Sequence, residues 1–444
     1  MRVNRLPIDP GPAGWNKILP PDASPQRLES TITADWLIVG AGFTGLSAAR
    51  RLRQLRPAGK IAVLDAKRVA EGPAGRNSGF MIDLPHDLAS SDYGGQIEAD
   101  RQQTRANRAG IAFASTAAAE YGMPDEALVR CGKINAAASE KGLHHNQAYA
   151  AHLRAMGEPF DVLDAARMRE ISGSDYYHGG LRTPGTAMVQ PALYIRALAR
   201  GLQGQGVHLH ENSPVLALER RGPDWCATTP RGQVFAPRVI LAVNGHTESF
   251  GHFRRRLMHV FTYASMTRAL KTDEIAALRG EDFWGFTPAD PMGTTVRRIS
   301  GIGGSRILIR NRFTYDPSMM VSDRRIARIA PDHDRAFASR FPMLKDVEMA
   351  YRWGGRLCLS RNAVPAFGQV EPGLFIAACQ NGLGTAKGTL AGMLAAELAV
   401  GQSSAMLREF QAQAQPSRLP PEPVAWLGAN AVIRWNESRT GREF

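Results

Sequence analysis

At 444 residues the chain is longer than one ordinary hydrophobic core, so two domains are expected. Hydrophobic residues make up 44% and charged residues 21%, which excludes a disordered or fibrous chain, and no apolar run approaches the ~20 residues that span a bilayer. The net charge of +13 raises nucleic-acid binding as a class. Against it, the basic residues are spread, their main cluster is only Arg254-Arg255-Arg256, and no aromatic-and-basic stacking pattern accompanies them. A diffuse arginine-rich surface with no nucleic-acid partner is the reading. Cys131, Cys226, Cys358 and Cys379 lie far apart and form no Cys-x-x-Cys, which argues against a dithiol reductase, a zinc site or a disulfide framework. A reducing, cytoplasmic setting follows.

Residues 1–33 carry six prolines, at 7, 10, 12, 20, 21 and 25, so the opening reads as an N-terminal arm on the surface with no continuous helix. Residues 1–30 have no apolar segment of the kind a secretory signal needs. The most informative stretch comes next. Trp36, Leu37, Ile38 and Val39 are dense enough for a strand buried on both faces, and Gly40, Gly42 and Gly45 follow at G-x-G-x-x-G spacing. A helical pattern (Leu46, Ala49, Leu52, Leu55), the breakers Pro57 and Gly59, and a second strand over 61–64 then lead to Asp65. Each glycine has a task in such a βαβ unit: Gly40 for the tight turn, Gly42 for approach of backbone to a pyrophosphate, Gly45 for helix–strand packing. The helix N-terminus presents unpaired N–H groups to the phosphates, and Asp65 accepts hydrogen bonds from a ribose diol. This predicts a dinucleotide site without deciding between FAD and a nicotinamide.

Gly72-Pro-Ala-Gly-Arg-Asn-Ser-Gly79 has no core-building pattern and is expected to touch a ligand. Helices are predicted over 87–120, 142–156 and 191–205, a strand over 131–139, and a turn-rich connector over 179–184. Short strands over 206–210, 214–218, 225–229, 232–236 and 238–243 read as a β-meander returning to a parallel sheet. Residues 260–350 read as alternating short strands and loops, with the alternation of 306–310 suggesting an antiparallel sheet with one wet face. Gly301-Ile-Gly-Gly304 reads as a hairpin turn. A buried strand over 374–378 runs into Gly382 and Gly384 and a helix to about 400, a second glycine turn aimed at the same ligand. A proline-containing tail with a helix near 427–439 closes the chain.

A nicotinamide dehydrogenase needs one glycine motif, and a disulfide-reductase-type flavoprotein needs two full nucleotide folds; this chain has one fold and one extra glycine turn. Together with Tyr351-Arg-Trp-Gly-Gly355, Ser360-Arg361 and Pro365-x-x-Gly368, these motifs resemble the D-amino-acid-oxidase-like FAD-dependent oxidoreductase superfamily. That group includes glycine oxidase, sarcosine oxidase and D-amino-acid dehydrogenase, and the likeness is nearest to gamma-glutamylputrescine oxidase-like members. It runs from about residue 35 to 401 and implies an α/β fold. An FAD-binding Rossmann-like domain with a central parallel sheet and β-meander (34–86, 187–260, 350–402) would hold an inserted α+β substrate domain with an antiparallel sheet (87–186, 261–349), followed by the tail, 403–444.

By that resemblance Phe43, Thr44, Asp65, Arg76, Asn77, Ser78 and Gly79 would contact FAD. Val215 would meet the adenine side, and Gly382, Leu383, Gly384 and Thr385 would lie at the isoalloxazine ring. Relatives often carry Ser-Gly-His-Gly where this chain has Asn381-Gly-Leu-Gly384, so a histidine near the flavin is missing. The implied activity is oxidation of the C–N bond of an amine or amino acid by hydride transfer to flavin N5, with oxygen or a quinone as acceptor. Alternatives are an FAD-dependent 2-hydroxy-acid dehydrogenase and a flavin-binding protein with impaired catalysis. Arg298, for a substrate carboxylate, and His86, with Asp83 beside it, are the candidate substrate residues. Cys358 is a candidate for covalent flavin attachment, though a buried strand cysteine is the plainer reading.

Overall fold

Trp36–Val39, Ile61–Leu64, Arg238–Leu241 and Leu374–Ala378 are almost wholly apolar, as strands covered on both faces must be. In the computed structural model, which describes residues 1–85 and 94–444, they form the centre of a six-stranded sheet. The spatial order is His208–His210, Ile61–Leu64, Trp36–Val39, Arg238–Leu241, Leu374–Ala378 and Ala366–Glu371, all parallel except the last. Alternate side chains enter two cores. Ile38, Val63, Ile240 and Ala377 meet the helices Phe43–Leu55, Pro191–Gly204 and Ala386–Ala399. Leu37, Ala62, Val239 and Ile376 meet a four-stranded sheet through Leu218, Trp225 and Val234. That second sheet is the expected meander, Ala217–Arg221, Asp224–Thr228 and Gln233–Ala236, with Thr31–Thr33 added in parallel.

The helices Phe43–Leu55 and Ala386–Ala399 pack backbone to backbone. A Cβ on Gly392 would overlap the Thr44 carbonyl oxygen, and one on Gly388 would sit 2.9 Å from Thr44 Oγ1. Small residues thereby bring together the two helix starts, each preceded by a glycine turn.

An eight-stranded mixed sheet lies beside this unit, in the order Met349–Leu359, Met258–Thr267, Arg306–Tyr315, Thr295–Ile299, Trp284–Pro288, Lys133–Ala137, Gly179–Thr183 and Asp161–Asp164. Only the Trp284–Pro288 and Lys133–Ala137 pair is parallel. Residues 300–305 join two antiparallel neighbours, as a hairpin turn should. The fold is mixed α/β, as expected.

Three local expectations are corrected. Residues 179–183 are not a connector but an interior strand. A Cβ on Gly180 would come within 2.6 Å of the Met168 sulfur, so this glycine serves packing, not a turn. The region read as strands and loops contains the 18-residue helix Asp323–Arg340, whose buried face (Ile326, Ile329, His333, Phe337) has helical spacing that Pro331 disguises in the sequence. The predicted wet face of 306–310 is wet only in part: Arg306 and Arg310 are half-buried, and Leu308 between them is not exposed at all. Leu308 is fully buried in the same core as Trp15, Ile18 and Leu19, so the N-terminal arm covers that side. The arm includes the short helix Gly14–Lys17 and is built into the core rather than laid over it.

Candidate functional site

The two glycine turns line one cavity, where the βαβ glycines have distinct jobs. Gly40 has φ of +106°, and a Cβ there would lie 2.6 Å from the Ala242 carbonyl oxygen; one on Gly45 would overlap the Gly40 carbonyl oxygen. Gly42 has only the Ala74 methyl near its missing Cβ, at 3.5 Å, and faces the cavity. No side chain caps the helix that begins at Phe43, so its first N–H groups are free to meet an anion. Asp65 lines the cavity at the end of its strand, its carboxylate accepting the Ala41 and Lys67 N–H groups at 2.7 and 2.9 Å. Burial, the largest influence, raises its pKa to about 6.

The cavity walls include most of the expected cofactor residues. Gly40, Gly42, Phe43, Thr44, Asp65 and Val215 line one part; Asn77, Ser78, Gly382, Gly384 and Thr385 line another. Asn77 is fixed by its own loop, donating to the Ala74 carbonyl at 2.7 Å and accepting the Gly79 N–H at 2.8 Å. Thr385 donates to the Phe80 carbonyl at 2.6 Å, tying the second glycine turn to the loop that ends at Gly79.

Four expected cofactor residues are placed behind the wall. Gly45 packs helix on strand. Arg76 spends its guanidinium on the carbonyls of Glu71, Pro10, Gly11 and Gly354, at 2.7 to 3.2 Å. Gly79, with φ of +79°, has Arg297 Nη1 and the Val189 carbonyl oxygen where a Cβ would go. Leu383 packs with Phe80, Ile82 and Met188.

Arg298 is buried and does not line the cavity. It donates to the Arg279 carbonyl and, at 2.9 Å, to Asp282, and burial lowers its pKa. Its neighbour Arg297, on the other face of the strand, reaches the glycine-rich loop 72–79. Nη1 donates to the carbonyls of Ser78, Gly79 and Val189 at 3.0, 3.1 and 2.8 Å, the guanidinium lies 5.5 Å from the Phe80 ring centre, and Nε has no partner among the described residues. Asp83 is fully buried and paired with Arg108 at 3.0 Å. His86 lies outside the described residues. Cys358 lines the cavity, but a hydrogen bond with the Cys379 side chain first, and burial second, push its thiol well up; a neutral thiol is a poor nucleophile.

The walls fit a polar dinucleotide. Gly42, Gly72 and Gly384 face the cavity with little or nothing where a Cβ would stand. Gln380, also on the wall and 5% exposed, has both side-chain amide atoms unpartnered among the described residues, a cost that a polar ligand would relieve. Sequence reasoning passed over Gln380, Arg356, His246 and Asp9, all on the wall. Gln380 and Arg356 adjoin stretches that were singled out, so proximity to a motif was an available signal. Asp9, in the proline-rich arm, gave none.

Comparison with known proteins agrees with this geometry. The Rhizobium meliloti (strain 1021) protein described as "Probable oxidoreductase OrdL" is 25% identical over 430 residues, 92% of this chain and 94% of that one. Gamma-glutamylputrescine oxidoreductase of Escherichia coli (strain K12) is 26% identical over 403 residues, 88% of each chain. The crystal structure of glycine oxidase from Geobacillus kaustophilus superimposes with a TM-score of 0.71 at 21% identity, covering 88% of this chain and 100% of that one, which shows a common fold. The family model described as "FAD dependent oxidoreductase" (DAO) matches residues 35–398. The chain is a member of the DAO family of FAD-dependent oxidoreductases, and FAD is its cofactor.

Proposed function

We propose that the protein oxidises the C–N bond of an amine or amino acid. The carbon next to nitrogen gives up a hydride, and the resulting imine hydrolyses to a carbonyl compound and an amine. The cofactor, when bound, supplies the two-electron acceptor at flavin N5. The observation that carries the reading is a cavity lined by both glycine turns, in a chain similar over 88% of its length to gamma-glutamylputrescine oxidoreductase.

The protein's part in this chemistry is orientation. The glycine cradle and Asp65 hold the nucleotide end. The uncapped start of helix Ala386–Ala399 offers N–H groups and a positive dipole end, which favour negative charge accumulating on the ring. Arg297 holds the Ser78 and Gly79 carbonyls, so the loop and the Phe80 ring keep a fixed position against the second glycine turn. Arg297 thus acts from behind the loop, outside the cavity wall, and Arg298 braces the opposite face of the strand. No general base is required if the substrate enters as the free amine.

Anaerobic bleaching of the purified, flavin-loaded protein tests the reading. Bleaching by members of an amine and amino-acid panel, with no response to 2-hydroxy acids, is expected. Bleaching by hydroxy acids alone would replace it with a hydroxy-acid dehydrogenase, and no bleaching by either panel would mark a flavin-binding protein with impaired catalysis. Hydrogen peroxide released during aerobic turnover would assign oxygen as acceptor; its absence alongside reduction of a quinone would assign the quinone.

A further inference from the structure

The N-terminal arm is anchored at two places with the cofactor cavity between them. At one end the Met1 amino group donates to the Leu218 carbonyl at 2.5 Å, and the N–H groups of Val3 and Asn4 bond Leu216 and Ser249 at 2.9 and 3.3 Å. At the other end Arg76 binds the Pro10 and Gly11 carbonyls. Trp15, fully buried, donates from Nε1 to the Asn77 carbonyl at 2.8 Å, and Asn16 donates to the Ala70 carbonyl at 2.6 Å. Val3 at the first anchor, and Arg5, Leu6, Pro7 and Asp9 between the two, form part of the cavity wall.

Asp9 is the charged centre of that wall. Its side chain is 1% exposed, 3.2 Å from Lys67 Nζ and 3.3 Å from Arg356 Nη2. Lys67 stands two residues beyond Asp65, and Arg356 belongs to the strand Met349–Leu359, so one carboxylate ties the arm to both sides of the cavity. Arg356 also meets His246 Nε2; burial and the adjacent guanidinium hold that imidazole neutral, as an acceptor. A buried carboxylate is retained where cations compensate it, and removing one partner leaves the others uncompensated. Arg5, Lys67, Arg68 and Arg356 outnumber Asp9 and Asp65 on the cavity wall, a balance that suits a ligand carrying a diphosphate.

We propose that the arm is a structural wall of the FAD site, and that Asp9 is a cofactor-retaining residue which locks the arm across the bound dinucleotide through Lys67 and Arg356. The inference rests on FAD occupying this cavity. Arg76, which the sequence offered as a cofactor contact, serves instead to fasten the arm.

The full-length, FAD-loaded protein tests this by two measurements that need no turnover. In Asp9→Asn, dilution-induced FAD release, followed by recovery of free-flavin fluorescence, is expected to be at least about tenfold faster than in the wild type. Glu29→Gln, which alters an exposed arm carboxylate paired with Arg231, should leave the rate unchanged. In the wild type, FAD should slow tryptic cleavage after Arg5 severalfold relative to the apoprotein, and Asp9→Asn should lose much of that protection. Equal release rates for wild type and Asp9→Asn, or tryptic cleavage indifferent to FAD, would overturn the proposal. A wild-type protein that takes up no FAD would instead overturn the cavity assignment on which it rests.

Discussion

The two glycine turns look alike in sequence, each ending a buried strand and opening a helix, yet their glycines answer to different forces. Gly40 and Gly45 are required by the protein's own backbone: a side chain at either would collide with a carbonyl oxygen. Gly384 meets nothing where its Cβ would stand, and Gly42 meets only one methyl group at 3.5 Å. The first pair builds the βαβ turn; the second pair leaves room for a ligand. In the first turn the fold glycines Gly40 and Gly45 and the ligand-facing Gly42 thus sit within one six-residue stretch, and spacing alone does not separate them.

The largest expected effect falls on the fold. Gly45→Val should destabilise even the FAD-free protein by about 3 kcal/mol or more, through overpacking that neither helix nor strand can relieve. Thermal or denaturant unfolding of the apoprotein measures this, and an unchanged midpoint would erase the distinction drawn above. Gly42→Ala and Gly384→Ala should stay within about 1 kcal/mol of the wild-type apoprotein, since ordinary contact or open space awaits the new methyl group. Their FAD affinity should drop roughly ten- to a hundredfold, because the methyl group occupies ligand space. Flavin titration alongside the melting curve tests the pair; a matching loss of apoprotein stability would make these fold glycines too.

The smallest effect depends on pH. Asp65 ionises near 6 in the folded protein against 3.8 ordinarily. Between those values the unfolded chain has lost the proton that the folded apoprotein still holds, so apoprotein stability falls as pH rises from about 4 to about 6 and is level beyond. A ribose diol donates to the ionised carboxylate, so FAD affinity should weaken as pH falls below about 6, by at most about tenfold per unit. Asp65→Asn should bind FAD less tightly at pH 8 and flatten this dependence. A wild-type profile as flat as that of the variant would remove Asp65 from the ribose site.

The parts legible in the sequence were those fixed by local chemistry. Strand 36–39, the glycine spacing, the helix to Leu55 and Asp65 form a contiguous unit whose periodicity and residue types suit little besides a nucleotide-binding βαβ turn, and the second turn at 382–384 repeats the signal. The helix Asp323–Arg340 was illegible because Pro331 masks its period, and the strand Gly179–Thr183 because its glycines, Gly179 packed by Leu143 and Gly180 by Met168, imitate a turn.

By itself, then, the sequence determined that a glycine turn of the nucleotide-binding kind ends a parallel strand and that a second glycine turn opens another helix, since both follow from backbone geometry over short spans. Only the tertiary structure decided which side chains wall the cavity. Arg76 turns away to hold the arm, Arg297 rather than Arg298 reaches the loop at Ser78 and Gly79, and Asp9 arrives from a proline-rich segment to meet Lys67 and Arg356. Those assignments depend on which face of a strand a residue occupies and on contacts between segments up to 347 positions apart, information that spacing along one segment does not carry.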